Sequence, residues 1–384
     1  MLCLCVAVLL VLGCSPTGPA PIEFVVPTAI REVSASDNEP AESNVQATET
    51  SSSPESGLTV NETIKTETIT ASGWNLLNIS LGGRILTPTS SHNSVLWIAP
   101  AGLGSGLYFY DLASGESKRL AEPKEIGGCI CRGYRRGDWI AMVEAQPGDT
   151  WWEISVLSLA SAEKTLIGRT DDPATLRSLR PGEFAVNADG WVAWKDIATD
   201  EESNVIETIG LRSIITDAVS EIIRVRSPAR IGRLEMSGNW VVWNLISEGD
   251  QNARGDIFGY NLESRSLVPI DDTGRAWSPA VWDTNVVWKV ADGPFADGDV
   301  FLYDLVRRQG QLITDTGQVS DVDVGSNFVV WSSGLAGAVT RHDMTTGIEE
   351  IIGRGSASQL SAESNTIVWL YDNEPGTLQI AWLP

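Results

Sequence analysis

The stretch "NWVVW" at residues 239–243 combines two indole side chains with two β-branched valines, a composition typical of a buried β-strand. Because successive side chains of a strand point to opposite faces, Val241 and Trp243 face one way while Trp240 and Val242 face the other. Both faces of this strand are therefore apolar. Such a strand needs a covering layer on each side of its sheet.

Copies of this stretch recur along the chain at the period expected of propeller blades. Seven segments align on their last strand position, and neighbouring copies lie 38 to 52 residues apart. Each copy leads to a second strand, such as "DVFLYDL" at 299–305, and most lead on to a third, such as "QLIT" at 311–314. No copy shows the 3.6-residue apolar period of a helix. The aligned positions are Trp97, Met142, Trp194, Trp243, Trp288, Trp331 and Trp369.

These repeats predict an all-β fold, a seven-bladed β-propeller of four-stranded blades, with six or eight blades also open because the second and third copies are weaker. Radial stacking covers both faces of every blade, and the tryptophans fill the space between blades. The last copy, within 364–384, shows only its middle strands, whereas "WNLLNIS" at 74–80 occupies the position of an outermost strand. We expect this N-terminal strand to close the last blade and remove its exposed edge.

The motifs "VVW", "DVFLYDL" and "QLIT" together resemble the TolB-type β-propeller repeat of bacterial envelope proteins. The resemblance runs over residues 74–384 and is clearest in the fourth to sixth copies. It implies the propeller fold and a place in the cell envelope. The motifs specify the fold much better than they specify a function.

The first fourteen residues, "MLCLCVAVLLVLGC", form a short apolar run. A helix of this length reaches about 18 Å, well short of the ~30 Å hydrocarbon core, so it fits the apolar region of a signal peptide better than a membrane span. The segment "VLGC" resembles the bacterial lipobox, which implies that Cys14 is lipidated and becomes the mature N-terminus. An ordinary secretory signal is the alternative. We predict a lipid-anchored protein of the cell envelope, on the extracytoplasmic face of a bacterial membrane.

Residues 15–70 are rich in Ser, Thr, Glu, Asn and Pro and contain little that can be buried. Such a composition cannot form a core and favours disorder. The predicted organisation is therefore a lipoprotein signal peptide at 1–14, a disordered linker at 15–70 and a β-propeller at 71–384.

The chain is strongly acidic. Its 384 residues include 50 Asp and Glu against 27 Lys and Arg, which gives a formal net charge of −23. Phosphate-binding surfaces need clustered Lys and Arg, so this composition argues against nucleic acid and anionic lipid as main partners. A protein or peptide partner of basic character fits the charge, while a role in solubility alone is the other interpretation.

No established catalytic motif is present: the chain has no G-x-S-x-G elbow, P-loop or H-E-x-x-H, and its two histidines, His92 and His342, are interpreted as structural. We therefore predict a protein- or peptide-binding or scaffold module of the envelope, without a catalytic residue or a required cofactor. The alternative is an extracytoplasmic carbohydrate-active or other enzyme with its site at the propeller centre. There Asp321 and Asp323 of "SDVDV" form the one inward-facing carboxylate pair that the sequence suggests.

Two further patterns are interpreted as structural. The Asp of "YDL", which recurs as Asp111, Asp304 and Asp343, is expected to accept backbone N–H groups in the following turn. Cys129 and Cys131 share one face of a predicted inner strand, with Cα atoms about 6.6 Å apart, near the upper limit for a disulfide. Two small buried thiols are the favoured interpretation, and a redox pair or soft-metal site is the alternative.

The candidate binding residues lie in the long acidic loops that join the second and third strands of the blades. These loops emerge on the same propeller face as the connections between blades, and acidic loops on one face attract basic partners. Their oxygen ligands also suit Ca²⁺, with "DGPFADGD" at 292–299 as the best segment, while solvated loops without a ligand are the alternative. The partner-binding candidates are Trp151, Trp152, Asp196, Asp200, Asp250 and Asp256, and the calcium candidates are Asp292, Asp297 and Asp299.

Overall fold

The structure is a computed structural model. It describes residues 63–69, 73–80, 85–99, 106–124, 128–145, 152–170, 184–248, 253–334, 337–354, 357–371 and 376–383. Within these ranges the regular structure consists of 28 β-strands, and no helix is present that could cross a membrane. The predicted signal peptide with Cys14, most of the predicted linker, Trp151 and Asp250 lie outside the described residues.

The strands form antiparallel sheets in which chain order runs from the propeller axis outward. The first two strands of the chain are β1 (Thr63–Ile69) and β2 (Trp74–Ser80), which belong to the last blade. Blade 1 contains β3 (Leu86–Ser91), β4 (Ser94–Ala99), β5 (Gly106–Asp111) and β6 (Ser117–Ala121). Blade 2 contains β7 (Cys129–Arg136), β8 (Trp139–Ala145), β9 (Trp152–Ser158) and β10 (Lys164–Thr170).

Blades 3 to 7 follow the same plan. Blade 3 contains β11 (Phe184–Val186), β12 (Trp191–Thr199), β13 (Val205–Ser213) and β14 (Val219–Arg226). Blade 4 contains β15 (Arg230–Ser237), β16 (Trp240–Glu248), β17 (Ala253–Asn261) and β18 (Ser266–Asp271). Blade 5 contains β19 (Ala276–Trp282), β20 (Asn285–Val290), β21 (Gly298–Asp304) and the first part of β22 (Gln309–Val324). The second part of β22 begins blade 6, with β23 (Phe328–Ser333), β24 (Ala338–Asp343) and β25 (Glu349–Arg354), and blade 7 contains β26 (Ala357–Glu363), β27 (Thr366–Tyr371) and β28 (Thr377–Trp382).

One long strand, β22, joins two blades. Its residues 309–314 pair with β21, and its residues 319–324 pair with β23, so blades 5 and 6 are hydrogen-bonded as one seven-stranded sheet. When β22 is divided between them, the described residues comprise seven four-stranded blades, with β1 as an additional outer strand. The predicted all-β propeller is thereby confirmed.

The ring is closed by the N-terminal strand, as expected. β2 pairs antiparallel with β28 from Asn75 opposite Trp382 to Ser80 opposite Thr377. Side chains support this pairing, because Gln379 donates to the amide oxygen of Asn78 at 2.8 Å. β1 then pairs with β2 on the outside of the same sheet. The sheet therefore starts before the predicted boundary at residue 71, since Thr63–Ile69 lies in the range assigned to the linker.

The repeated tryptophans pack between blades. Trp243 of blade 4 lies in one apolar cluster with Ile209 and Leu211 of blade 3. Trp97 of blade 1 packs in the same way with Val368 and Ile380 of blade 7. Both indoles are buried. Each thus fills the space against the preceding blade, which supports the interpretation of the tryptophans as inter-blade packing.

The aspartates of "YDL" hold the turns between the third and fourth strands. Asp343 Oδ1 accepts the N–H groups of Thr345 and Thr346 at 2.9 Å each, and Asp304 Oδ1 accepts two turn N–H groups at 2.9 and 2.8 Å. Partial burial opposes ionisation, but the hydrogen bonds from Thr346 and Arg341 prevail and lower the pKa of Asp343 to about 2. These carboxylates are structural, as their recurrence predicted.

Removing the closing strands will destabilise the propeller. Deletion of residues 15–62 leaves every described strand in place and should not change the melting temperature. Deletion of 15–81 also removes β1 and β2. The buried side chains of Trp74, Leu77 and Ile79 are lost with β2, so the apolar surface that they cover becomes exposed. We expect a fall of more than about 10 °C, measured by circular dichroism. Equal melting of the two truncated proteins would contradict closure by β2.

Candidate functional site

The regular pairing of the innermost strand with the second strand is interrupted at a similar position in most blades. In the described residues, six of the seven carry a β-bulge or equivalent register shift, and the seventh, β11, is only three residues long. Bulges bend a strand and redirect its side chains, and they are frequent beside functional sites. The shifts lie between Leu86 and Thr89, Ile130 and Arg132, Ile231 and Leu234, Trp277 and Ala280, Val319 and Asp321, and Ser358 and Ser361.

Three of these bulges contain a residue in the left-handed backbone region. Thr87, Ser278 and Gln359 have φ values of 42°, 53° and 52°. Side chains other than glycine occupy this region only when the surrounding structure holds them there, and such residues cluster at functional sites. One contact stabilises two of these residues: the Gln359 side-chain oxygen of blade 7 accepts the Thr87 N–H of blade 1 at 2.6 Å.

Two lysines, the partly buried Lys195 and the buried Lys289, contact other bulges from the neighbouring blade. Lys195 Nζ donates to the carbonyl of Ile231 at 3.0 Å. Lys289 Nζ donates to the carbonyls of Pro294 and Ser320 at 3.2 and 3.3 Å. Burial lowers the pKa of Lys289, while the nearby carboxylates oppose that shift. Both lysines directly follow a repeat tryptophan, so the dipeptide "WK" was a sequence signal for this contact.

The bulged strands surround a cavity of about 310 Å³ at the propeller axis. Its walls come from the inner strands of all blades except blade 5, and they carry five ionisable groups besides Tyr134. The carboxylate pair suggested by the sequence is confirmed to lie in this wall. The ionisable residues are Arg132, Arg233, Glu235, Asp321 and Asp323.

Arg233 is the centre of the cavity's charge network. Its Nε lies 2.9 Å from Glu235 Oε1, its Nη1 lies 3.5 Å from Asp321 Oδ1 and its Nη2 lies 3.9 Å from Asp323 Oδ2. Tyr134 donates its hydroxyl to Glu235 Oε2 at 2.9 Å. Burial raises the pKa of Asp321, and it raises the pKa of Asp323 to about 7, although Arg233 opposes both shifts.

The three carboxylates differ in how far their hydrogen-bonding capacity is used. Asp323 accepts the N–H groups of Val324 at 2.8 Å and Ala362 at 2.9 Å, which ties blade 6 to blade 7. Asp321 accepts the N–H of its neighbour Val322 at 3.0 Å, but its bond from the next blade is long, at 3.4 Å. The Asp321 side chain is 28% exposed, against 10% for Asp323. Asp321 is therefore the carboxylate best placed to meet a ligand.

The cavity is closed at one end by a buried ion pair. Arg136 Nη1 lies 2.9 Å from Glu363 Oε2, and the guanidinium carbon lies 5.3 Å from the Tyr134 ring centre and 5.1 Å from that of Trp282. Arg136, Glu363 and Trp282 are the last residues of their inner strands, and the cavity residues lie earlier in the same strands. The cavity therefore opens towards the strand starts, the face that carries the acidic loops.

Breaking this closing ion pair will cost much more stability than replacing both partners. Arg136→Met leaves Glu363 buried without its cation, and Glu363→Leu leaves the reverse. Each single change should lower the free energy of unfolding by about 3–5 kcal/mol in urea titrations, whereas the double variant should recover most of that loss. A double variant as unstable as the sum of the two single variants would contradict a direct buried ion pair.

The partner-binding candidates that the structure describes each make a contact of their own. Trp152 is buried in the apolar cluster between blades 2 and 3, where its side chain fills the space between the blades and is not accessible to a partner. Asp196 accepts only the N–H of the adjacent Ile197, at 2.9 Å. Asp200 holds its own turn by accepting the N–H of Asn204 at 2.8 Å. Asp256 accepts the Gly274 N–H at 2.9 Å, and burial raises its pKa.

Two of the three calcium candidates make separate contacts. Asp292 is exposed and pairs with Arg275 at 2.9 Å. Asp299 accepts the Gly317 N–H at 2.7 Å, in the same way that Asp256 binds the loop leading to its next blade. No group of three or more His, Cys, Asp or Glu in the described part of the chain is arranged to hold a metal ion. The geometry thus gives the Ca²⁺ prediction no support.

Cys129 and Cys131 form a disulfide, so the favoured interpretation as two thiols is wrong. Their Cα atoms are 5.4 Å apart, less than the ~6.6 Å of a regular strand. The reason is the register shift between Ile130 and Arg132, which bends β7 between the two cysteines. The sequence offered no signal for this local bend.

No protein-family model and no curated protein matches the sequence. Among solved structures, a prolyl endopeptidase aligns at a TM-score of 0.58 and 15% identity, over 77% of this chain and 46% of that one. The β-propeller domain of the Trilobed protease from Pyrococcus furiosus aligns at 0.57 and 12% identity, over 79% and 94% of the two chains. An oligogalacturonate lyase in complex with manganese aligns at 0.56 and 14% identity, over 84% and 96%. This chain thus spans less than half of the prolyl endopeptidase, and at these identities the likeness establishes the β-propeller fold.

Proposed function

We propose that this chain is a TolB-type propeller lipoprotein of the bacterial envelope that binds a protein or peptide partner on its acidic loop face. Lipidation at Cys14 would anchor it on the extracytoplasmic side of the membrane, and the residues up to β1 would separate the propeller from the lipid. The single observation that carries the binding role is the axial cavity, because it is closed at one end and opens to the face with the acidic loops.

The rim of that face combines charge with an exposed aromatic group. Phe295, in the loop between β20 and β21, is 98% exposed, and its loop also contains Asp292 and Asp297. An exposed aromatic ring beside carboxylates suits a partner that presents both apolar and basic side chains. The proposed interface therefore consists of the axial cavity and this rim.

The carboxylates of the cavity favour binding over acid–base catalysis. Asp321 and Asp323 are the pair that an enzyme with a central site would use. However, each oxygen of Asp323 already accepts a backbone N–H, from Val324 and from Ala362. A residue committed to joining two blades is poorly placed to exchange a proton with a substrate. We therefore propose a binding role rather than an enzymatic one.

The lipid anchor is tested by substitutions within the first fourteen residues. Cys14→Ala should abolish lipidation and reduce the fraction of the protein that sediments with membranes, because a stable anchor needs covalent acyl chains. Cys3→Ala and Cys5→Ala are matched controls in the same segment and should leave the membrane fraction unchanged. Full membrane retention of the Cys14→Ala protein, without acyl label, would contradict the anchor at this residue.

The loop face is tested by photo-crosslinking the full chain in envelope extracts. Phe295→Ser should reduce the yield of a crosslinked partner at least about fivefold, since exposed aromatic anchors dominate interfaces. Val306→Ser, which changes an exposed apolar side chain in the turn after β21 on the opposite face, is the control and should have no effect. Crosslinking should also weaken with rising salt. Equal loss with the two variants would place the partner elsewhere.

A further inference from the structure

The disulfide between Cys129 and Cys131 closes a very small ring, because only Ile130 separates the two residues. The stabilisation that a disulfide gives by restricting the unfolded chain grows with the number of residues in its ring. A ring this short restricts the unfolded chain very little. The bond therefore contributes less to stability than a bridge between distant strands would, and a structural role does not account for it.

The bend in β7 does not need the bond either. Register shifts of the same kind occur in the inner strands of blades 1, 4, 5, 6 and 7, which contain no cysteine. In β7 the pairing with β8 continues on both sides of the shift, with Ile130 opposite Glu144 and Arg132 opposite Val143. Ile130 is 2% exposed and packs in the apolar cluster between blades 1 and 2.

The blade thus positions the two cysteines independently of their bond. Their Cα atoms are 5.4 Å apart, within the range of about 4.4–6.8 Å that is usual for disulfides. Because the strand pairing and Ile130 keep the backbone in place, the reduced thiols remain side by side. The pair can therefore open and close again without a rearrangement of the blade.

The disulfide lies at the open end of the propeller. Cys129 is the first residue of β7, and Arg132 and Tyr134 of the cavity wall follow it in the same strand. Both cysteines are partly exposed, and they pack against the apolar cluster between blades 2 and 3. A molecule on the open face therefore encounters a disulfide that is partly exposed and held in a fixed position.

We propose that Cys129 and Cys131 form a thiol–disulfide exchange site that oxidises a pair of cysteine thiols in a substrate protein. This activity goes beyond the proposed binding function. A bond that is partly exposed and not required for the fold belongs with the labile, catalytic disulfides rather than the structural ones. Within the described residues these two are the only cysteines, so no other thiol there competes for the exchange.

The exchange proceeds in two steps. A substrate thiolate attacks one sulfur of the pair, the Cys129–Cys131 bond breaks, and the other cysteine leaves as a thiolate that takes up a proton. The second substrate thiolate then attacks the substrate sulfur of the mixed disulfide, which forms the substrate disulfide and releases the second cysteine. Two electrons pass from the substrate to the pair, and the two protons of the substrate thiols end on Cys129 and Cys131. A second disulfide compound, reacting in the reverse direction, reoxidises the pair.

The first test measures whether the bond in the folded, unmodified chain exchanges with glutathione. Trypsin releases residues 125–132 as one peptide that contains both cysteines and no other, so mass spectrometry after alkylation counts their thiols. Reduced glutathione at millimolar concentration should open the bond, since exchange-active disulfides equilibrate with glutathione and structural ones resist it. Circular dichroism should show that the chain stays folded. A bond that resists reduction until the chain unfolds would overturn the inference.

The second test measures oxidation of a substrate, with a reduced, blocked Cys-Gly-Gly-Cys peptide as the probe. One peptide disulfide should form for each Cys129–Cys131 pair that gains two thiols. Cys131→Ser should lower the rate at least about tenfold and, with oxidised glutathione, should accumulate a mixed disulfide on Cys129, because no neighbouring thiol resolves it. Cys5→Ala is the control and should leave the rate unchanged. Equally fast oxidation by the Cys131→Ser protein would contradict the assignment.

A third measurement separates exchange from stabilisation. Replacing both cysteines by serine should lower the melting temperature by less than about 5 °C, because the ring is short and the blade holds the strand. A larger fall in circular dichroism melts would assign the bond to the fold and overturn the inference. None of these measurements uses the partner or the lipid anchor, so the exchange site and the proposed function stand or fail independently.

Discussion

The fold depends on strands that are apolar on both faces. A strand such as Trp240–Glu248 buries Val241 and Trp243 against one neighbouring blade and Val242 against the other. A sheet built from such strands has no face that tolerates water, so each blade requires two neighbours, and only a closed ring provides them for every blade. The inter-blade tryptophans fill a gap that widens outward from the axis. The same requirement explains why β2 returns to the last blade from the other end of the propeller, because an unpaired β28 would leave an apolar edge exposed.

The ring geometry also accounts for the cavity. Seven inner strands converge on one axis, and β26 contacts β3 to complete the circle, so side chains from all of them compete for the central space. Bulges relieve this crowding by bending the strands at one level, and the bent region is where the cavity lies. Beyond that level, at the ends of the inner strands, the Arg136–Glu363 pair packs with Trp282. The open end and the closed end thus follow from where the bulges begin and end along the strands.

The sequence predicts the fold far better than the site, for a physical reason. Alternating apolar residues and a constant period are local signals, and they were sufficient to predict the blades and the closing strand. The strand Thr63–Ile69 was not predicted, because "TIKTETI" has the polar composition of the linker around it. Asp321 and Asp323 could be selected from their position in an inner strand, whereas Arg233 and Glu235 lie in "GRLEM", which has no distinctive motif. Their meeting depends on the ring, which brings together residues about 90 positions apart.

In the acidic loops, by contrast, the sequence suggests binding residues whose carboxylates make structural contacts. Their density of carboxylates suggested a binding site, yet Asp256 and Asp299 each accept a glycine N–H in the loop that leads to the following blade. Both residues occur in the repeated dipeptide "GD" at the start of a third strand, and repetition in successive blades is the mark of a structural role. The residues that the structure selects behave differently. Asp321 occurs once, in one inner strand, and lines the cavity together with Thr89 and Arg132 of blades 1 and 2. In a repeat protein, a contact made in every blade maintains the fold, whereas a polar group that breaks the repeat at the axis is available for a ligand.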